Sequence, residues 1–327
     1  MTRRIALIGA GAIARVFYLP ALHRLRDQID DLWIVDPGRN AVEAALKAVN
    51  AKSAAQLGDI DAELDLVIIA APNALHAPIA TQALERNSHI LIEKPFVVLP
   101  SEGEALVALA AAKSRLVAVN QTRRYYPALQ ALRDIVDGGT LGALKSIEHL
   151  EGVKLDWPFE SGAAFSPGAF RTGAIMDFGV HVLDYYHALL RPEWSLDTAI
   201  HDGFVGPEGL AEIRAHASGV SLHLRLSRYQ FLRNMARLTF ERGAVEFDVF
   251  DCNGVSVTQE GRSRRVTGPD PVADYLAIAD RLILDVLGAC ETGTAPHCTA
   301  ADSLPVIRFL DTIYSGAKHY PQAVGAV

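Results

Sequence analysis

The sequence predicts an α/β protein: an N-terminal Rossmann-type, doubly wound parallel sheet, then a C-terminal α+β domain with a mainly antiparallel open sheet. Three observations predict this. A short apolar strand, Arg4-Ile5-Ala6-Leu7-Ile8, runs directly into Gly9-Ala10-Gly11-Ala12-Ile13-Ala14. Apolar strands then alternate with helical stretches to about residue 120, without hairpin signals. From Glu212 onward the hydrophobic period changes to two. At 327 residues the chain exceeds one ordinary core, so two domains are expected, at 1–121 and 122–327.

Composition narrows the function classes. Hydrophobic residues make up 50% and charged residues 21%, the balance of a soluble globular protein. A net charge of −7 gives no basic footprint for nucleic acid or a membrane surface. Apolar runs such as Leu66 to Pro72 and Ala105 to Ala112 fall far short of a membrane span. Met-Thr-Arg-Arg leads straight into a strand, with no signal-peptide hydrophobic region. Cys252, Cys290 and Cys298 are scattered without metal-ligand spacing and read as reduced thiols of a cytoplasmic protein.

The first glycine stretch reads G-x-G-x-x-A and opens a helix expected to reach about Leu25. Gly9 permits the tight turn, and Gly11 lets the backbone approach a pyrophosphate. The small Ala14 lets helix and strand pack closely, with the helix N-terminus facing the phosphates. Gly9, Gly11, Ala12 and Ile13 are therefore candidate cofactor contacts. Leu32-Trp33-Ile34-Val35-Asp36 is a second strand ending in an acid. A carboxylate there accepts hydrogen bonds from an adenosine ribose and repels a 2′-phosphate, favouring NAD over NADP. Arg39, three residues on, pulls mildly toward NADP.

Asp65 to Ala71 is the next buried strand, followed by Pro72-Asn73-Ala74-Leu75-His76. Asn73 is the expected N-cap of a helix running to about Arg86, and His76 reads as a partly exposed first-turn residue. His89-Ile90-Leu91-Ile92 forms a buried strand, and Glu93-Lys94-Pro95 follows at its carboxyl end. Ligands of open α/β sheets bind at that end, although the same three residues also fit a solvated strand end. A helix near Ser101 to Ala112 and a strand at Leu116 to Asn120 complete the half.

Gly9-x-Gly11-x-x-Ala14, Ala71-Pro72-Asn73-x-x-His76 and Glu93-Lys94-Pro95, in this order within one Rossmann half, resemble the Gfo/Idh/MocA oxidoreductases. That is the group of glucose–fructose oxidoreductase and inositol dehydrogenase. The resemblance implies cofactor contacts from Ala71, Pro72, Asn73, His76, Glu93, Lys94 and Gln121, and a cis Lys94–Pro95 peptide. Gln121-Thr122-Arg123-Arg124-Tyr125-Tyr126-Pro127 resembles the element by which the family leaves its nucleotide domain. A helix at about Ala128 to Asp137 and a strand at Lys145 to His149 follow.

Thr172 to Asp184 resembles the family's G-G-x-x-x-D-x-G-x-H-x-x-D element, with Thr172 in place of the first glycine. In a helix, Asp177 and His181 would stand at i and i+4 on one face. A carboxylate beside an imidazole fixes its tautomer and raises its basicity, as a general base for an alcohol requires. Taken alone, D-x-x-x-H more often marks a solvated face. Lys94, Asp177 and His181 are the catalytic candidates, His181 as acid/base and Lys94 as its competitor. Lys154 to Arg171 reads as a loop over the site, in which Trp157 and Phe165 wall a sugar ring or pack the loop down. Arg123, Tyr126 and Arg171 complete the substrate-binding candidates.

In the second half, Leu222, Leu224 and Leu226 alternate with polar residues, as do Leu238 and Phe240, then Val245, Phe247 and Val249. This is an antiparallel sheet with one dry face, and Glu241-Arg242-Gly243-Ala244 is a hairpin turn within it. Arg262, Arg264 and Arg265 read as a solvated strand edge. Helices at about Ala273 to Leu287 and Ser303 to Ala317 close the chain. The resemblance implies a homodimer or homotetramer through the sheet, and a small carbohydrate-like substrate. The expected function is an NAD(P)-dependent dehydrogenase or reductase acting on a secondary alcohol or ketone of a sugar, nucleotide sugar or cyclic polyol. NAD is the expected cofactor, NADP the alternative. Two other classes stay open: glycoside cleavage through transient oxidation, and a non-catalytic cofactor-binding regulator. Lys94, Asp177 and His181 together argue against the regulator.

Overall fold

The computed structural model describes residues 3–154, 171–203 and 206–320. In chain order the strands and α-helices begin with β1 (Arg4–Ile8), α1 (Leu19–Arg24), β2 (Asp31–Val35), α2 (Arg39–Ala48), β3 (Lys52–Ala54), β4 (Leu66–Ile69), α3 (His76–Glu85), β5 (His89–Ile92), α4 (Pro100–Lys113) and β6 (Val117–Val119). They continue with α5 (Pro127–Asp137), β7 (Leu144–Gly152), α6 (Val180–Leu190), β8 (Ser195–His201), β9 (Leu210–Ala217), β10 (Val220–Ser227), β11 (Met235–Phe240), β12 (Gly243–Asp248), β13 (Gly254–Gln259), β14 (Arg262–Thr267), α7 (Ala277–Thr292), α8 (Ala300–Gly316) and β15 (Lys318–His319). No helix among the described residues is long and apolar enough to cross a membrane.

The described residues form two compact units. One holds 3–125 and 273–307; the other holds 126–154, 171–203, 206–272 and 308–320. The first is built on a six-stranded parallel sheet in the order β3-β2-β1-β4-β5-β6. Its central strands are continuous apolar runs because helices cover both faces, and Ile5, Leu7, Leu66, Ile68, Ile90 and Ile92 are fully buried. Order reverses between β1 and β4, so the carboxyl ends of these two strands flank the crevice where such sheets take ligands.

Residues 273–307 depart from the expected division, which put them in the second domain. The reason is an edge. The Val119 amide donates to the Cys298 carbonyl at 3.0 Å, and Thr299 bridges Ala118 antiparallel, so this segment covers the open side of β6. Thr299 and Asp302 then cap α8 reciprocally: the Thr299 amide donates to Asp302 Oδ2 at 3.1 Å, and the Asp302 amide to Thr299 Oγ1 at 3.2 Å.

The second unit is built on a nine-stranded sheet, β14-β13-β12-β11-β7-β10-β9-β8-β15. It is antiparallel except at β7–β10 and β8–β15. The period-two reading holds in side chains: Leu222, Leu224, Leu226, Leu238 and Val245 are all buried. The β11–β12 connection is the two-residue turn Glu241-Arg242, with Gly243 already paired to Phe240. Arg262 to Thr267 is the exposed edge strand, as the arginine run suggested.

Two local expectations change. Asn73 does not cap α3 with its side chain; it begins a 3-10 turn, Asn73–Leu75, that follows Pro72. Helix α7 begins at Ala277, four residues later than the apolar pattern suggested, because Asp274 Oδ1 accepts the Leu276 and Ala277 amides and sets the start there.

Candidate functional site

In the first unit the glycine turn is held by backbone geometry. Gly9 lies at φ +93°, a conformation open to glycine alone at little strain, and its amide donates to the Val35 carbonyl at 2.8 Å. Gly11 is different: a Cβ there would meet only open space. The turn therefore needs Gly9 for its own shape and leaves a clear approach at Gly11. Ala12 and Ile13 are half-buried on the helical segment that follows.

Asp36 ties this turn to the second strand. Its Oδ2 accepts the Ala10 amide at 2.9 Å, and its Oδ1 accepts the Gly38 amide at 2.7 Å. A carboxylate has about four acceptor sites, so two amides leave capacity for a ribose hydroxyl. Arg39, the residue pulling toward NADP, is exposed and bonded to Glu43 Oε1 at 2.9 Å, one turn along α2.

His76 departs from the lone-exposed-histidine reading. It is fully buried, with Nδ1 2.8 Å from the Pro95 carbonyl and Nε2 2.9 Å from the Ala71 carbonyl. Its nitrogens thus join the loop after β4 to the loop after β5 instead of pointing outward. Burial pushes the ring below the usual histidine range, outweighing the two carbonyl contacts that pull it up. A neutral ring donates to only one of the two carbonyls. His76→Phe keeps a planar ring but removes the donor. It should cost roughly 1–3 kcal/mol, measured as a lower urea midpoint by circular dichroism. An unchanged midpoint would mean the two contacts hold nothing.

The peptide between Lys94 and Pro95 is cis, as the resemblance implied. Glu93 turns inward. It is buried, and its Oε1 accepts the Tyr18 hydroxyl at 2.8 Å and Asn120 Nδ2 at 2.6 Å. Burial raises the Glu93 carboxyl, and the adjacent Lys94 charge opposes this most strongly. Lys94 itself is half-buried at the strand end. Gln121 is buried just beyond β6, and neither side-chain amide atom has a hydrogen-bond partner among the described residues. A buried orphaned amide is what a polar ligand group would satisfy. With the open approach at Gly11 and the free capacity on Asp36, the residues present fit a dinucleotide. Ala71 and Asn73 are half-buried and Pro72 is exposed, on the loop between β4 and α3; Arg123 is half-buried.

In the second unit the D-x-G-x-H segment does not begin as an α-helix. Ile175–Gly179 is a π turn, and α6 begins at Val180. A π turn carries more residues per turn, so four residues from Asp177 to His181 span less than a full turn. Asp177 forms an ion pair with Arg228, Oδ2 to Nε at 3.5 Å, and Arg228 also donates to the Thr172 carbonyl. Sequence reading missed Arg228, about fifty positions away; no local pattern pairs it with Asp177. His181 is half-buried in the first turn of α6.

Glu208 seats the start of this segment. It accepts the Ile175 amide at 3.0 Å and the Tyr314 hydroxyl at 2.8 Å. A Cβ on Gly173 would lie 2.2 Å from the Glu208 carboxyl carbon, which explains why glycine is kept there although Thr172 replaces its neighbour. Arg171 is held by Asp311 at 2.7 Å and lies over the Tyr314 ring at 5.0 Å. Its guanidinium is thus engaged within the unit. Tyr126 is buried at the start of α5. Trp157 and Phe165 lie outside the described residues.

A family profile described as "Oxidoreductase family, NAD-binding Rossmann fold" (GFO_IDH_MocA) matches residues 3–121. Over these residues the chain matches the NAD-binding Rossmann domain of the Gfo/Idh/MocA oxidoreductases. Among curated relatives is UDP-N-acetylglucosamine 3-dehydrogenase of Acidithiobacillus ferrooxidans, 32% identical over 38% of this chain and 35% of its own. 1,5-anhydro-D-fructose reductase of Ensifer adhaerens is 25% identical over 64% and 63%. The chain spans about half the length of the first curated relatives it matches. A 3-ketoreductase from Actinomadura kijaniata, solved with NADP and TDP-benzene, superposes with a TM-score of 0.85 at 19% identity, over 98% of this chain and all of its own. At that identity the match speaks for the fold.

Proposed function

We propose that the chain is an NAD(P)-dependent oxidoreductase that moves a hydride between nicotinamide and a secondary alcohol or ketone of a sugar, nucleotide sugar or cyclic polyol. The observation that carries it is the Gly9–Gly11 turn bonded to Asp36 at the switch point of a parallel sheet. Relatives named for chemistry at a sugar 3-position support the substrate class. When bound, the nicotinamide supplies the hydride donor or acceptor. Gly11 gives the pyrophosphate its approach and Asp36 takes the adenosine ribose. Lys94, a cation at the carboxyl end of β5, steadies developing negative charge on the substrate oxygen. His181 gives or takes the hydroxyl proton. Asp177, paired with Arg228, sets the field at the start of the His181 helix.

NAD should bind more tightly than NADP, because Asp36 carries its charge where the 2′-phosphate would lie, while Arg39 is engaged with Glu43. Titrating both cofactors by quenching of intrinsic fluorescence decides this. Reduction of bound NAD by a panel of sugars, nucleotide sugars and polyols then tests the reaction. Failure to bind either cofactor would sink the whole reading.

A further inference from the structure

Tyr18 closes the π turn Ala14–Tyr18, which directly follows the glycine turn. It is fully buried, a costly place for a hydroxyl without partners. The partners are there. The Tyr18 hydroxyl donates to Glu93 Oε1 at 2.8 Å, and Asn120 Nδ2 reaches both that hydroxyl, at 2.9 Å, and Glu93 Oε1, at 2.6 Å. The remaining carboxylate oxygen, Glu93 Oε2, accepts the backbone amide of Lys94 at 3.1 Å. Three side chains from the start of the first helix, the end of β5 and the end of β6 thus form a closed triangle, and its free corner is bonded to Lys94.

We propose that Tyr18 is a positioning residue for Lys94, acting through Glu93. The importance of Lys94 to chemistry rests on the reading above; its positioning does not. A carboxylate buried to this degree needs donors on both oxygens: Tyr18 and Asn120 serve Oε1, and the Lys94 backbone amide serves Oε2. Those bonds fix the Glu93 rotamer, and the Glu93 rotamer fixes the amide that starts the Lys94–Pro95 turn. The Lys94 charge and the Tyr18 hydroxyl both favour the charged form of Glu93. The π turn is what brings this about: an α-helical turn at the same place would rotate residue 18 to a different bearing. The groups that face Glu93 are Tyr18, Asn120 and Lys94, with Tyr275 facing Tyr18.

The test is the pH profile of Lys94 labelling by trinitrobenzenesulfonate, read by peptide mass spectrometry on the full chain, with exposed Lys47 as internal control. Neither cofactor nor substrate is needed. Glu93→Gln keeps the shape and removes the charge, and should speed Lys94 labelling at pH 8 about tenfold. Tyr18→Phe removes one hydroxyl and should speed it about threefold, with the Lys47 rate unchanged in both. Profiles of Lys94 superimposable on wild type would reduce the triangle to packing and overturn the proposal. So would equal acceleration of Lys47, which reports general loosening. Accelerated Lys94 in a chain that proves not to use NAD(P) would keep the positioning and remove the proposed function.

Discussion

His181→Ala should lower turnover by about 10²–10⁴-fold on the best sugar or polyol substrate, while NAD affinity stays nearly intact. The range is the usual contribution of a positioned acid or base to a proton transfer. The affinity argument is one of address: His181 lies on α6, whereas the glycine turn and Asp36 lie in the other unit. Lys94→Ala should reduce both turnover and cofactor affinity, since Lys94 sits at a strand end of the nucleotide-binding sheet. Asp177→Asn should fall between, because it removes the charge facing the buried Arg228 guanidinium. Steady-state rates and cofactor titrations on the three variants separate the roles. If His181→Ala retained wild-type turnover and Lys94→Ala abolished it, the proton would belong to Lys94.

The parts of the fold that were legible are those with a local period. Leu222, Leu224 and Leu226 face the core because a strand alternates its side chains, and that shows in the sequence without any knowledge of partners. The parallel strands were legible as apolar runs for the same reason. What stayed hidden depends on residues far apart in the chain. No pattern near residue 298 says that its carbonyl will cover the edge of β6, so residues 273–307 read with the second half of the chain, whereas they group with the first unit. His76 read as exposed because its two acceptors, the Ala71 and Pro95 carbonyls, belong to loops that only the folded sheet brings together. The π turns at Ala14–Tyr18 and Ile175–Gly179 were invisible for another reason: one inserted residue barely disturbs a helical hydrophobic pattern, yet it re-aims Tyr18 and changes the phase between Asp177 and His181.

Gly9→Ala should destabilise the fold itself, by roughly 2–5 kcal/mol, whereas Gly11→Ala should leave stability nearly unchanged and weaken dinucleotide binding. The two glycines of one motif serve different ends. At Gly9 the backbone stands at φ +93°, strained for any residue with a Cβ, and the added methyl would lie 2.5 Å from the Ala70 carbonyl oxygen and 2.9 Å from the Ala71 nitrogen. Both neighbours are backbone at the end of β4, tied to β1 by the Ala70 amide donating to Ile8 at 2.7 Å, so they cannot swing aside as a side-chain tip would. Strain and collision therefore add, and β1 and β4 must part at the switch point or the turn must refold. At Gly11 neither term applies: the space is open, and a methyl there obstructs only what approaches from outside. Urea denaturation followed by circular dichroism gives the first effect, and fluorescence titration with NAD gives the second. A Gly9→Ala protein as stable as wild type would show that the turn does not need glycine. A Gly11→Ala protein that binds NAD with wild-type affinity would show that no pyrophosphate passes there.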